Sequence, residues 1–335
     1  MVLIYMFFSP VLLFSEEIKL TPEENGNITV TADGKPFTTF ILNSHNKPVL
    51  YPLIGPTGFA MTRQYPLEDA LPSEKKDHPH QRSCWFAHGD INGLSYWHQE
   101  DSQPKKTIPA GHILLQKIVK CEGNTIIAES NWVNTHGEID MYETRTMEFY
   151  ANETARWIDF TFVLTSAENS VRFGDTKEGL FGIRVAGVLK TDAKMGGRII
   201  NSAGQTNAEA WGKPARWVDY NNCELQTLIS GGRNPDVPSS DEKENSTVSP
   251  PSVGVAILNH PESYAFPSCY HVRGYGLFAA NPFGLRDFYG ENSGKDGSSV
   301  LKKGESFTFK YRLLLHIGDE KQGQVEQSWK EYSQQ

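Results

Sequence analysis

The residues able to do chemistry concentrate between Asp77 and Trp97, in the run DHPHQRSCWFAHGDINGLSYW. It joins His78, His80 and His88 to Asp77 and Asp90, with Arg82 and the indoles of Trp85 and Trp97 close by. Polar-aromatic stretches of this kind are poor core material and usually line a place where a ligand is held. Pro79 favours extended backbone around itself, and in extended chain residues i and i+2 point the same way. His78 and His80 are therefore expected to face one pocket or one metal ion.

Three uses of that pair stay open. As metal ligands, His78 and His80 need a third donor, supplied by His88 or Asp90, or by His271 in the remote segment SCYHVRGYG. No cofactor is fixed by this spacing, and a divalent metal is left open. As acid–base groups, imidazoles titrate near neutrality, and His88-Gly89-Asp90 sets an imidazole beside a carboxylate across a glycine that lets the chain turn. As structural groups they need no ligand, and Asp90 reads equally well as the cap of a turn at Asn92-Gly93.

The aromatics suit a ligand with one apolar face and hydroxyl edges, which describes a sugar. Trp85, Phe86, Tyr96 and Trp97 form one group; Tyr270, Tyr275, Phe278 and Phe283 form another. Alternation sends some of them to the core, and Phe86 and Phe278 are assigned there. Arg63, Arg82, Arg184 and Arg273 offer planar forks for carboxylates or vicinal hydroxyls, although Arg184 reads as readily as a structural ion pair. Nucleophilic catalysis has little support: there is no GxSxG elbow, and Cys84 between Ser83 and Trp85 looks like core. Asp77, Asp90, Glu138, Asp140 and Glu143 are available as a glycosidase pair, but that chemistry depends on a separation the sequence does not give.

The elements that must position these groups read as strands. Asp33-Gly34 lies between two alternating apolar runs, a strong hairpin signal. The same pattern recurs around Glu122-Gly123-Asn124 and near Asn152-Glu153. Further strands are expected over residues 180–188, 224–229, 253–258, 268–279 and 306–316, and a closing helix near the C-terminus. Together they predict an all-β antiparallel β-sandwich with a short C-terminal helix, in one domain from residue 16 to 335. Long loops are expected over 43–81 and 191–215, and a Pro/Ser-rich surface loop over 231–252, with an interdomain linker as its other reading.

Bulk properties narrow the partners. With 335 residues, 38% hydrophobic and 21% charged, the chain can bury a substantial core. Its net charge of −8 argues against nucleic acid, which needs clustered Lys and Arg. The opening MVLIYMFFSPVLLFS is shorter than the roughly 20 apolar residues of a membrane span and fits a secretory segment cleaved near Ser15. It lacks a basic residue near Met1, which keeps a misassigned start or a buried first strand open. The expectation is export to the periplasm or medium, with no stable membrane insertion afterwards. Cys84, Cys121, Cys223 and Cys269 form no CxxC pair, which excludes a zinc ribbon and leaves disulfide pairing undecided.

The 77–97 segment also resembles the DHPHHRGLWFAHGDVNGxxFW signature of an exported bacterial family called PmoA-like, common in planctomycetes and Bacteroidetes. GLFGIRVA (179–186), AWGKPARWVDY (210–220) and HVRGYGLFAANPFG (271–284) are similar to the same family, so the resemblance covers most of the chain. It implies a β-sandwich related to the mutarotase-like supersandwich and an association with polysaccharide degradation. The methane monooxygenase activity in the inherited name is rejected, since that subunit crosses the membrane several times. Gln81 and Ser83 stand where the signature has His and Gly, which puts in doubt any function of that extra imidazole.

The combined reading is an exported protein acting on a sugar, glycan fragment or other small polar ligand. As an enzyme of the lyase, hydrolase or epimerase class it would use His78, His80, His88, Asp90 and His271, with Arg82, Trp85, Trp97, Arg273, Tyr275 and Asn281 contacting substrate. The alternatives are a non-catalytic glycan-binding protein and a metal-dependent enzyme built on the His-x-His pair.

Overall fold

The computed structural model describes residues 15–71, 74–99, 109–223 and 252–335. The secretory segment up to residue 14 and the expected strand at 224–229 lie outside the described residues, as does the 231–252 loop except for Ser252.

Two antiparallel eight-stranded sheets make the framework. The first runs β1 (Ile18–Pro22), β2 (Ile28–Ala32), β3 (Lys35–Ser44), β4 (Lys47–Tyr51), β5 (Cys84–Phe86), β11 (Phe181–Arg184), β16 (Leu277–Asn281), β15 (Cys269–Val272). The second runs β12 (Arg198–Asn201), β13 (Trp217–Asn221), β14 (Val253–Asn259), β18 (Ser306–Ile317), β9 (Ala155–Ser166), β8 (Ile139–Ala151), β7 (Thr125–Val133), β6 (His112–Glu122). A short pair, β10 (Val171–Phe173) with β17 (Ser299–Leu301), stands apart. The expected hairpins form: Asp33 and Gly34 join β2 to β3 at positive φ, and Gly123 turns β6 into β7. The C-terminal helix spans Val325–Tyr332.

Aromatic side chains weld the sheets. Phe86 of the first stacks on Phe162 of the second at 3.8 Å, Phe181 on Tyr311 at 5.1 Å, and Phe37 meets Phe149 edge-on at 5.9 Å. Each buried ring contributes roughly 1.5–3 kcal/mol of transfer free energy. Cys84, Phe86 and Phe278 are core, as expected.

Three expectations change. The 43–81 stretch is not loop throughout, because Lys47–Tyr51 pairs as β4. Likewise 191–215 includes β12. Residues 268–279 are not one strand but a hairpin, β15 against β16, whose turn is Arg273 to Gly276; Gly276 sits at φ +100°, a conformation that glycine adopts at no steric cost.

Strand alternation then creates the site. In β5, β11, β16 and β15 one set of side chains (Phe86, Phe181, Phe278, Tyr270) faces the second sheet. The other set (Trp85, Gly182, Arg184, His271) faces away from it, yet stays buried because the 74–99 and 174–180 segments fold over that outer face. Trp85 and Trp97 pack there edge-to-face at 4.9 Å, 1% and 0% exposed. They are packing groups, which corrects their assignment as sugar platforms. Gly182 makes room for them: a Cβ there would lie 2.8 Å from Trp85 and 3.0 Å from Trp97. Gly182→Ala is therefore expected to cost about 1–3 kcal/mol of overpacking strain, read as a lower urea midpoint with an unchanged slope; an unchanged midpoint would show that the indoles can shift freely.

Candidate active site

The outer face of the first sheet gathers side chains from four separate stretches of chain around Tyr275. His78 stacks on the phenol ring, 5.2 Å between centroids and 6° from parallel. The Arg184 guanidinium lies over the same ring at 4.5 Å. Arg184 donates to Asp77 Oδ1 at 2.8 Å, and Arg63 donates to that same oxygen at 2.6 Å. His78 Nδ1 stands 3.4 Å from the other Asp77 oxygen. Burial alone would raise the Asp77 pKa, but the His78 hydrogen bond and the two guanidiniums outweigh it and hold the carboxyl well below the usual range.

Backbone geometry explains how His78 arrives. The expected extended dipeptide does not form: His78 has φ +45° and accepts a turn bond from Gln81 N–H at 3.0 Å. Its ring is left 43% exposed, whereas His80 is 2% exposed. The rings are neighbours at 5.7 Å, but His80 turns inward against His98 at 4.6 Å. Burial, then the nearby His98 and Lys47 charges, push the His80 pKa well below its ordinary value, so this imidazole is neutral. Arg82 donates towards Gln99 and Ser44 and takes no part in the Tyr275 group. Gln81 accepts a hydrogen bond from Arg184, so the position where the resembling signature has His is a buried prop for a guanidinium. Ser83, where that signature has Gly, adopts φ +54°, the left-handed region that favours glycine.

His271 and Arg273 face the group from the β15 side. His271 Nδ1 donates to Lys177 O at 3.0 Å, which leaves Nε2 to accept from Arg273 Nε at 3.1 Å. That bonding requires the neutral ring, and burial, with Arg273 next, lowers the His271 pKa to about 3. A ring held this way orients a cation rather than shuttling a proton. Arg273 also lies over Trp211 at 5.0 Å.

Glu178 was not among the sequence candidates; its carboxylate pairs with Lys177 at 3.8 Å and lies near enough to His78 and Arg273 for their charges to act on it. Its pKa is raised by burial, against the lowering influence of Lys177, His78 and Arg273. The His88-Gly89 pair is its seat. Gly89 N–H donates to Glu178 O at 2.6 Å, and a Cβ on Gly89 would lie 2.7 Å from the Glu178 Cβ. His88 is fully buried, bonds Gly174 O at 2.9 Å through Nε2, and packs on Phe283 at 5.1 Å. Asn281 spends its amide on Thr176 O (2.8 Å) and on the Phe283 N–H (2.9 Å), fixing the same segment. Asp90 accepts from Gly93 N–H at 2.9 Å, which is the turn cap. The four histidines His78, His80, His88 and His271 thus do not ring one cavity: His88 and Asp90 hold the Glu178 loop from behind, and His78, His271, Arg273 and Tyr275 face it. A polar residue before Gly-Leu is too common a signal for the sequence to have marked Glu178.

Among the described residues, no group of three or more His, Cys, Asp or Glu could hold a metal ion. The His78 nitrogen nearest Asp77 and the inward-turned His80 do not converge on a shared third donor. We expect chelator to leave the melting temperature of the wild type unchanged; a chelator-induced drop, lost in His80→Ala, would instead establish a stabilising metal. No helix of the described residues is long and apolar enough to cross a membrane.

This is an all-β two-sheet protein whose polar centre lies on the outer face of one sheet. The chain belongs to the family of unknown function DUF6807, whose family model matches residues 27–330. No curated protein matches it. Among solved structures it is similar to a galactose mutarotase-like protein from Clostridium acetobutylicum (10% identity, 90% of this chain and 99% of that one, TM-score 0.36). It is also similar to an Escherichia coli K12 protein provisionally assigned as an aldose 1-epimerase (11% identity, 90% and 99%, TM-score 0.35). A polysaccharide lyase matches at 12% identity over 92% of this chain but 34% of its own length, with TM-score 0.32. At such TM-scores the likeness says nothing about activity.

Proposed function

We propose that the chain is an exported carbohydrate-active enzyme that moves a proton on a sugar or glycan fragment, a reaction of the lyase, hydrolase or epimerase class. Glu178, 22% exposed at its side chain and paired with Lys177 at 3.8 Å, serves as the proton acceptor and donor, and His78 as the second acid–base group on the solvent side. The observation that carries this reading is the His78–Tyr275 stack at 5.2 Å on the outer face of the first sheet, with Arg273 held by His271 in the same hairpin as Tyr275 and Glu178 within reach of the His78 and Arg273 charges. Burial keeps the Glu178 carboxyl poised to hold a proton above the ordinary carboxylate range, which suits a general acid–base group. His78 is half-exposed and backed by Asp77, so its ring is reachable from solvent. Tyr275, with Arg184 and His78 against its ring, is the prop that holds the His78 imidazole in place.

A second reading, a non-catalytic glycan-binding protein, is favoured by the half-buried Trp211 indole that lines an adjoining cleft of about 480 Å³. The two separate in one experiment: a panel of monosaccharides and glycan fragments is incubated in D2O and followed by proton NMR. Anomer exchange, deuterium incorporation at carbon, or new products support the enzyme; saturable binding with no conversion of any sugar supports the binding protein.

A further inference from the structure

We infer that the site takes a sugar bearing a carboxylate, a uronic acid unit, and that Arg273 is the residue that selects it. This rests on the sugar-site reading above and names the class of sugar.

The cleft of about 480 Å³ next to the β15–β16 turn is lined by Thr191, Asn207, Trp211, Arg273 and Gly274 among others. Arg273 is its cation, and its presentation is fixed on two sides. The neutral His271 accepts from Nε at 3.1 Å, and the Trp211 ring supports the guanidinium plane at 5.0 Å. Both contacts leave the terminal nitrogens, the pair that forms a fork, to be satisfied elsewhere. Other enclosed arginines already own a carboxylate: Arg63 and Arg184 share Asp77, Arg145 has Glu143, and Arg312 has Asp159. Among the described residues no carboxylate lies within ion-pair distance of Arg273. A guanidinium held rigid by an imidazole and an indole, facing a cleft and lacking an internal anion, is arranged for an external one, and the planar fork matches a carboxylate in two parallel hydrogen bonds.

The cleft floor adds hydroxyl recognition. Gly274 leaves room for the Thr191 hydroxyl, which a Cβ there would meet at 2.9 Å, and Thr191 and Asn207 both line the cleft. A sugar with its carboxylate on Arg273 would occupy the cleft that Trp211 also lines.

The test compares methyl glucuronide with methyl glucoside, locked anomers differing only at the carboxylate, by NMR titration against wild type, Arg273→Gln and Arg273→Lys. Wild type is expected to bind the uronide about 10- to 100-fold more tightly, the worth of a charge-assisted hydrogen-bonded contact. Arg273→Gln should collapse that preference towards unity. Arg273→Lys, which keeps the charge without the fork, should retain part of it and decides the matter if the glutamine variant melts early. Equal binding of both sugars by wild type, or a preference that survives Arg273→Gln, overturns the inference while leaving the sugar site standing. Failure of both sugars, and of their galacto and manno counterparts, to bind at all overturns it together with the sugar-site reading.

Discussion

Glu178→Gln is expected to lower turnover by about 10²- to 10⁴-fold, the usual worth of a positioned acid–base group, while leaving melting close to wild type. Glutamine keeps the size of the side chain and removes its proton chemistry. The backbone bond to Gly89 and the packing of the 176–179 segment on His88 do not involve the carboxyl, so the fold has no reason to fail. The pH profile carries a second signature. Burial raises the Glu178 pKa above its ordinary 4.5, so an activity needing the ionised base should fall away as pH drops through that raised value, on a limb displaced upward from a normal carboxylate. The limb should vanish in Glu178→Gln. A variant retaining full turnover would remove Glu178 from the chemistry and leave His78 as the sole proton carrier.

Asp77→Ala is expected to be among the most destabilising single changes in the chain. Arg63 and Arg184 are 3% and 2% exposed at the side chain, and both bond the same Asp77 oxygen. Removing the carboxylate leaves two buried guanidiniums without their counter-charge, and breaking one partner out of a buried ion pair typically costs about 3–5 kcal/mol. The depressed Asp77 pKa fixes the sign of the pH dependence. A depressed carboxyl contributes stability that is fully present above its unfolded value, near 3.8, and is lost as pH falls through the lower folded value. Urea unfolding at neutral pH should therefore show the full deficit of the variant, and the gap to wild type should narrow only in strong acid. A gap that stays constant down to strong acid would assign the loss to packing instead.

The strand framework was legible because alternation and turn glycines are local signals: Asp33-Gly34 and Gly123 turn where they were expected to turn. The site was legible as a neighbourhood but not as a set of roles. Periodicity says which residues share a strand face; it does not say which faces are roofed by loops. Trp85 and Trp97 looked like a binding surface because clustered flat rings suit a sugar, yet both are packed beneath the covering 74–99 segment. His78 was placed beside His80 by the extended backbone that Pro79 favours, and the positive φ at His78 turned the two rings to different environments. Glu178 escaped because its setting comes from the Gly89 bond and the charges of His78 and Arg273, all far away in sequence. The hairpin turn carrying Arg273 and Tyr275 had a readable signal in Gly274 and Gly276, which a strand interior would not need.

In the proposed enzyme His78, Tyr275, Glu178 and Arg273 form one sugar-contacting centre. Selective labelling of histidine at Cε1 tests it most directly, since His78 and His271 border that centre and the exposed His136 does not. On titration with the sugar panel, including uronides, the account predicts saturable shifts of His78 and His271 with a common dissociation constant while His136 stays fixed. A panel in which some sugar binds yet moves His136 or other remote rings, and never His78 or His271, would contradict it.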